Sequence, residues 1–289
     1  SKDKAKSFAS IVSEATKDEG LFNVYKKDNK YYFEIPDSLV GREMLMVTRV
    51  AKMSVSIPPT QHKLNEQVLR WEKKGENFLL RENSYVNFAN DSLPISEAVV
   101  NSNFEPILFK FKIEASNDSL NTSLIDVTSL FNSDVKPLGY PQRSRKSRKI
   151  SSLDTKLSYI ESIKSYPKNI EARHVKTYRS SETESGTVSM EINNSMIILP
   201  KIPMKRRYFD ERVGWFTNSQ TDYGIDNQEA KTLKYLKRWR LEVKDEDIEK
   251  FEAGELVEPK KPIVYYIDPA TPKKWRKYLK QGVEDWQVA

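Results

Sequence analysis

The residue pattern predicts an α+β chain, made mostly of antiparallel β-hairpins and sheets with a few short helices. Three observations carry this reading. Short apolar-polar alternating runs, split by turn-forming residues, recur through the first 255 residues. Stretches with helical spacing are brief, and strands rarely alternate with long helices. The chain is polar, with 38% hydrophobic and 31% charged residues, yet its 12 Phe, 14 Tyr and 5 Trp offer large apolar surfaces for a core.

Taken in order, residues 4–17 (KAKSFASIVSEATK) set Phe8, Ile11, Val12 and Ala15 on one helical face, and Gly20 offers a stop. Leu21 to Lys27 and Lys30 to Ile35 flank Asp28-Asn29, residues that tolerate the left-handed region of a tight hairpin. A strand is expected over 43–50 and a loop over 53–66 around Pro58-Pro59. A second hairpin spans 67–72 and 78–81. A short helix follows at 93–104, then strands at 107–115 and 120–127. Residues 136–150 (KPLGYPQRSRKSRKI) combine prolines, a glycine and a basic run, and read as a surface loop or a joint between subdomains. Strands resume over 157–165 and 170–179. Asn193-Asn194 reads as a tight turn between strands 187–192 and 195–199. The segment 200–209 is extended and basic, 212–217 and 232–243 read as strands, and 245–252 as a charged helix ending near Gly254. The closing segment differs in kind. An apolar strand, Ile263 to Ile267, turns through Asp268-Pro269 into a helix with Thr271 as N-cap and Pro272 as its first residue. Trp275, Tyr278, Leu279, Val283 and Trp286 follow at helical spacing.

Composition excludes much chemistry. Lys plus Arg is 48 and Asp plus Glu 41, a formal net charge of +7; cysteine is absent and the histidines are His62 and His174. A Cys nucleophile, a disulfide framework, a thiolate metal site and a Cys-based inhibitory switch are therefore impossible in this chain. A Ser/His/Asp triad would have to use one of the two histidines. No apolar run approaches about 18 residues, so no transmembrane helix is expected. The polar N-terminus implies that any signal peptide has been removed or left out.

Several long blocks resemble one family. They include DEGLFNVYKKDNKYYFEIPDSLVGREMLMVTRV (18–50), VLRWEKKGENFLLRE (68–82), FKFKIEA (109–115), LDTKLSYIESIKSYPKNIEA (153–172), ILPKIPMKRRYFDERVGWFTN (198–218), RWRLE (238–242) and KPIVYYIDPATPKKWRKYLKQGVEDWQVA (261–289). Together they look like the N-terminal region of large bacterial zinc-dependent metallopeptidases of metzincin-like type. The resemblance implies two domains of unknown function ahead of a catalytic domain, which opens with the strand-helix unit seen at 262–288. It implies a division into a helix-hairpin domain at 1–52, a β-rich domain at 53–255 and the start of a truncated catalytic domain at 256–289. It places a zinc helix of H-E-x-x-H-x-x-G-x-x-H type further downstream, where zinc-activated water would attack a peptide carbonyl with a Glu as general base. No H-E-x-x-H occurs here, so no zinc ligand and no catalytic residue is assigned to this chain, and no cofactor is expected within it. The expected partners are the downstream protease domain and a protein or peptide substrate; the expected location is periplasmic, outer-membrane-associated or extracellular.

The candidate contact residues are basic. Arg143, Arg145, Lys146, Arg148 and Lys149 place five cations in seven residues, suited to phosphate, acidic polysaccharide or anionic lipid, to an interdomain contact, to a protease-sensitive joint or simply to solvent. Lys205, Arg206 and Arg207 suggest docking on the catalytic domain, with Asp210, Glu211 and Arg212 as pairing partners. Nucleic acid is not expected, because the charge is spread along the chain without a recognised motif. His62 reads as a loop residue and His174 as a strand-face residue rather than ligands. Trp215, Trp239, Trp275, Trp286, Tyr265 and Tyr266 suggest a sugar or peptide platform, with core packing preferred; Trp275, Tyr278, Leu279 and Trp286 are expected to be exposed if 262–289 lacks the strands it would pack on. Glu182/Glu184 and Asp245/Glu246/Asp247 fit turn and helix-start positions better than a catalytic carboxylate pair. The leading reading is a non-catalytic N-terminal region that scaffolds, covers or helps bind substrate for the protease. The rival is a β-rich cell-surface binding module for glycan or protein.

Overall fold

The computed structural model describes residues 7–54, 62–225 and 229–288. In chain order, α1 (Phe8–Val12) precedes β1 (Thr16–Asp18), β2 (Asn23–Lys27), β3 (Lys30–Pro36), β4 (Glu43–Met53), β5 (Lys63–Lys74), β6 (Asn77–Asn83) and β7 (Asn87–Phe88). Then come α2 (Ile95–Ser102), β8 (Ile107–Asn117), β9 (Thr122–Asp126), α3 (Thr128–Asn132) and α4 (Gln142–Ser147). β10 (Ile150–Leu153), β11 (Tyr159–Tyr166), β12 (Asn169–Ser180), β13 (Thr187–Ile198), β14 (Thr217–Asp222), β15 (Lys231–Leu236), α5 (Ile248–Glu252) and α6 (Lys273–Glu284) complete it. The fold is α+β and β-rich, as the hairpin pattern requires. The chain divides into two compact units, 1–203 with 220–232, and 204–219 with 233–289.

The first unit is built, among the described residues, on a twelve-stranded sheet in the order β1-β2-β3-β9-β8-β6-β5-β4-β13-β12, with β10 and β11 both on β12. All its pairings are antiparallel. The segment 16–53 is integral to it, since β3 pairs with β9 and β4 lies between β5 and β13. The sheet curls until its ends meet. The Leu21 amide donates to the Tyr166 carbonyl at 2.8 Å and Ser165 Oγ donates to the Phe22 carbonyl at 2.6 Å. A sheet closed this way leaves little edge open for pairing with another chain.

Alternation fills the interior. Along β12, Ile170, Ala172, His174, Lys176, Tyr178 and Ser180 are all buried, one side chain in two, as the pleat dictates. Trp71 of β5 is fully buried and meets Phe22, Phe33, Phe78 and Phe111 at ring distances of 5.5–6.4 Å. α3 lies inside this arrangement with Leu130 and Phe131 buried, Phe131 resting 6.4 Å from Phe33 and 5.7 Å from His174.

The second unit has little core. Among its described residues Tyr235 is the one buried hydrophobic side chain. Tyr208 bridges Tyr235 with rings 5.4 Å apart, and the Lys237 amide donates to the Phe216 carbonyl at 2.8 Å.

Several expected elements change. The first helix is shorter: Ser7 caps it, and Glu14 at φ 63° ends it before β1; residues 4–6 lie outside the described residues. The Pro58-Pro59 loop also lies outside them, and β5 begins at Lys63, inside the span expected as loop. Asn193-Asn194 is no turn. β13 runs unbroken through both, because each amide finds a partner on its own face, and the chain reverses earlier, at Gly186 with φ 70°. Residues 136–150 are not a loop but contain α4. The strand expected at 212–217 is displaced, since β14 begins only at Thr217, and the strand expected at 232–243 is the shorter β15, which ends at Leu236; 263–267 pairs with no strand among the described residues. α6 starts at Lys273, with Pro272 rather than Thr271 in the cap position.

The seam tolerates only glycine at position 20. A Cβ there would lie 2.4 Å from Ser165 Oγ and 2.7 Å from the Tyr166 amide nitrogen. Gly20→Ala is expected to cost about 1–3 kcal/mol as overpacking at a rigid junction. Thermal unfolding checks this, and an unchanged Tm would mean the seam can open.

Candidate functional site

The alternation that packs β12 also carries polar groups into the interior, and each needs a partner there. His174 is fully buried, and its Nε2–H donates to Asn194 Oδ1 at 2.5 Å. Asn194 Nδ2 donates to Thr48 Oγ1 at 2.8 Å, and Thr48 Oγ1 to the Pro137 carbonyl at 3.2 Å. Asn65 and Gln67 donate to the same carbonyl at 3.3 and 3.4 Å. One carbonyl therefore gathers three strand residues from β4 and β5 and anchors the 133–141 segment. His174 Nδ1 is buried with no hydrogen-bond partner among the described residues. Burial, chiefly, and the neighbouring Lys176 charge pull His174 down to about 3, so it is neutral at ordinary pH.

Lys176, also fully buried, donates from Nζ to the carbonyls of Phe131 at 3.0 Å and Ser133 at 2.5 Å. Its ammonium thus satisfies the last carbonyls of α3, groups that a helix end leaves unpaired. Burial lowers Lys176 to about 8, while Asp134 pushes the other way. Arg145, from α4, pairs with Asp134 at 2.8 Å and lies 4.9 Å from the Tyr178 ring centroid. Burial raises Tyr178 to about 12.

The predicted basic run is thereby split. Arg145 faces inward and is a structural ion-pair partner, whereas Arg143 and Lys146 are exposed and Lys149 pairs with Glu182 at 2.6 Å. Spacing explains the split: Arg143 and Lys146 stand three residues apart and share the exposed face of α4, while Arg145, two residues from one and one from the other, turns to the opposite side. Lys205, Arg206 and Arg207 belong to the other unit. There Arg206 donates to Tyr235 Oη at 3.2 Å and stacks 4.9 Å from its ring centroid, while the Lys205 and Arg207 carbonyls accept from Arg238 and the Leu236 amide. Arg212 pairs with Asp210 at 2.6 Å.

The remaining candidates separate clearly. His62 is exposed. Glu182 serves Lys149, Asp245 pairs with Lys260 at 2.7 Å and Asp247 with Lys250 at 3.1 Å. Core packing, preferred for the late aromatics, is overturned: Trp215, Trp239, Tyr265 and Tyr266 are all more than half exposed, and Trp275, Tyr278, Leu279 and Trp286 are exposed as expected for a helix without its packing strands. Their unit offers no core to receive them. Among the described residues no three His, Asp or Glu side chains converge as a metal site.

A cleft of about 670 Å³ opens on the surface of the first unit, among residues that the sequence pattern does not single out. Its floor is the outer face of β5 and β6, where Arg81 pairs with Glu72 and Arg70 with Glu105. Its wall is the 84–106 excursion with α2, held by the Asn87 amide donating to Asn103 Oδ1 at 2.9 Å and by the Thr221 amide donating to the Val86 carbonyl at 2.7 Å. Phe104 stands at the rim, 75% exposed, with the Arg81 guanidinium 5.0 Å from its centroid. The sequence signal was present but diffuse: the outward positions Arg70, Glu72 and Arg81 read only as the polar half of an alternating strand.

Comparison with known proteins places these features. Residues 62–244, more than half of the chain, match a family described as Domain of unknown function (DUF5117). The chain belongs to that family. Residues 5–53 match a second, described as Domain of unknown function (DUF5118). No curated protein matches the chain. No solved structure matches it either. The DUF5118 match ends at the last residue of β4, yet β1 to β4 belong to the same sheet as the strands of the DUF5117 match. The two families therefore meet within one barrel.

The buried histidine makes stability pH-dependent. Its folded-state value lies below the unfolded 6.5, so the unfolded chain binds the proton first as pH falls. Stability is fully present above about pH 6.5 and is lost progressively toward about pH 3. Denaturant unfolding at pH 7, 5 and 4 is expected to show this decline, and His174→Gln to flatten it. An unchanged slope in the variant would assign the decline to carboxylates.

Proposed function

We propose that this chain is the non-catalytic N-terminal region of a secreted metzincin-like zinc metallopeptidase, and that it serves as the scaffold on which the catalytic domain is seated. One observation carries the reading. The segment 263–286 presents Ile263, Val264, Tyr265, Tyr266, Ile267, Trp275, Tyr278, Leu279, Val283 and Trp286, each at least 40% exposed. Contiguous apolar surface of this kind is rare on a soluble chain and marks a place where another structure docks. The resemblance of 261–289 to the opening strand and helix of such a catalytic domain supplies the occupant. The 263–267 segment, which pairs with no strand among the described residues, would join that domain's sheet, and α6 would lie on it.

On this reading the zinc, the general base and the substrate groove belong to the downstream domain, in a periplasmic, outer-membrane-associated or extracellular setting. No residue of this chain acts on the peptide. A scaffold is favoured over a cover because the exposed surface is apolar and strand-like, suited to permanent packing rather than to reversible blocking of a polar, water-holding metal site.

The test is the longer gene product. It is expected to carry an H-E-x-x-H helix within about 200 residues of the end of this chain, to bind zinc by elemental analysis and to hydrolyse peptides. Trp275→Ala with Leu279→Ala is expected to destabilise the longer protein by about 2–5 kcal/mol, as core truncations do, and to leave the 289-residue chain unchanged. Adding this chain to a separately prepared protease domain is expected not to inhibit it. Tight inhibition would make it a cover, and a continuation without the zinc helix would sink the reading.

A further inference from the structure

We infer that the cleft between the β5–β6 face and the 84–106 excursion binds a neutral oligosaccharide chain. The inference does not depend on the protease reading, since the cleft lies wholly within the first unit.

Charge is the first ground. Arg70, Lys74 and Arg81 are matched by Glu72, Asp91 and Glu105 among the lining residues, so the cleft is balanced. Two of the three cations are committed to carboxylates through Arg70–Glu105 and Arg81–Glu72, and Arg81 also donates to the Glu105 carbonyl at 2.7 Å. A phosphate or an acidic polymer would have to displace these carboxylates, which disfavours an anionic ligand.

The second ground is the state of the backbone. β5 is paired on both sides, with β4 and β6, and β6 with β5 and β8. The floor has no free strand edge, so a peptide cannot add to it as a strand, the commonest source of affinity for extended peptides. Recognition falls to side chains. Guanidinium donors alternate with carboxylate acceptors across the floor, and Arg70 Nε is buried without a hydrogen-bond partner among the described residues. A sugar hydroxyl both donates and accepts, so a row of hydroxyls can meet such a mixed floor without leaving either kind of group unpaired.

The third ground is Phe104. A ring that is 75% exposed at a cleft rim, backed by a guanidinium at 5.0 Å, is held as a flat apolar platform. The C–H face of a pyranose ring suits such a platform, while its equatorial hydroxyls reach the polar floor. The volume of about 670 Å³ falls in the range of about 300–1,000 Å³ usual for small-ligand clefts.

The experiment screens the 289-residue chain on an array of neutral and acidic glycans and measures the neutral hits by isothermal titration. Binding of a neutral oligosaccharide is expected, weakened about tenfold or more by Phe104→Ala, the loss that corresponds to about 1.4 kcal/mol. Phe104 is exposed, so that variant should fold; Asn87→Ala, which frees the excursion, gives a second reading and should also weaken binding. Amide shifts on titration should map to β5, β6 and α2. Three results would overturn the inference: no neutral glycan bound at millimolar concentration, binding insensitive to both variants, or a cleft that takes up peptides or acidic glycans instead. None of these bears on whether a zinc domain follows, so the two readings fail separately.

Discussion

The barrel depends on satisfying polar groups that its own strand pattern forces inside. The pleat of β12 carries His174 and Lys176 into the interior on the same face as Ile170 and Ala172. A buried polar group without a partner costs about 1–3 kcal/mol, a large fraction of the roughly 5–15 kcal/mol that holds a typical domain folded. The chain between β9 and β10 meets this demand. It lays α3 and the 133–141 segment against the interior and presents the Phe131, Ser133 and Pro137 carbonyls to Lys176 and to the Thr48, Asn65 and Gln67 side chains. Gly139 lets this segment pass close to Tyr178, whose hydroxyl would stand 2.9 Å from any Cβ added there. The position of α4, and so the inward turn of Arg145, follows from the same docking.

This explains which parts of the fold could be read from the sequence. Hairpins set by local chemistry were legible: Asp28 takes φ 52° and Gly75 φ 59°, each at the expected turn. Features set by distant partners were not. Asn193-Asn194 has the local chemistry of a turn. It stays in β13 because Asn194 reaches Thr48 and His174, and Asn193 reaches Glu171 at 2.7 Å. The run from Arg143 to Lys149 reads as a solvated loop, because nothing within it announces that Asp134 waits for Arg145. In each case a tertiary hydrogen bond overrides a local preference.

The candidate sites were legible to a different degree. The apolar spacing of Trp275, Leu279 and Val283 is a property of α6 alone and was visible at once. The cleft arises from three stretches, β5, β6 and the 84–106 excursion, whose lining residues are individually ordinary surface positions. A site assembled from the outward halves of paired strands leaves no signature beyond normal alternation. Phe104, a lone aromatic beyond a short helix, resembles many core residues until its exposure is known.

The two units also place their apolar surface differently, and the difference bears on function. The first unit buries Trp71, Phe22, Phe33, Phe78 and Phe131 in its core, and leaves single side chains such as Phe104, Leu120 and Tyr159 exposed on its surface. The second buries little besides Tyr235 and exposes Trp215, Trp239, Trp275 and Trp286. Each buried Leu- or Phe-sized side chain is worth about 1.5–3 kcal/mol, so leaving this many exposed forgoes stabilisation the first unit plainly uses. Local hydrogen bonds, such as Trp215 Nε1 to the Lys237 carbonyl at 2.5 Å, fix individual positions without replacing a core. A segment with this composition gains stability chiefly from a surface that covers it. The first unit, with a closed seam and a filled interior, has no such need, and Phe104, exposed at the rim of a polar cleft, is better placed for a reversible ligand than for permanent packing.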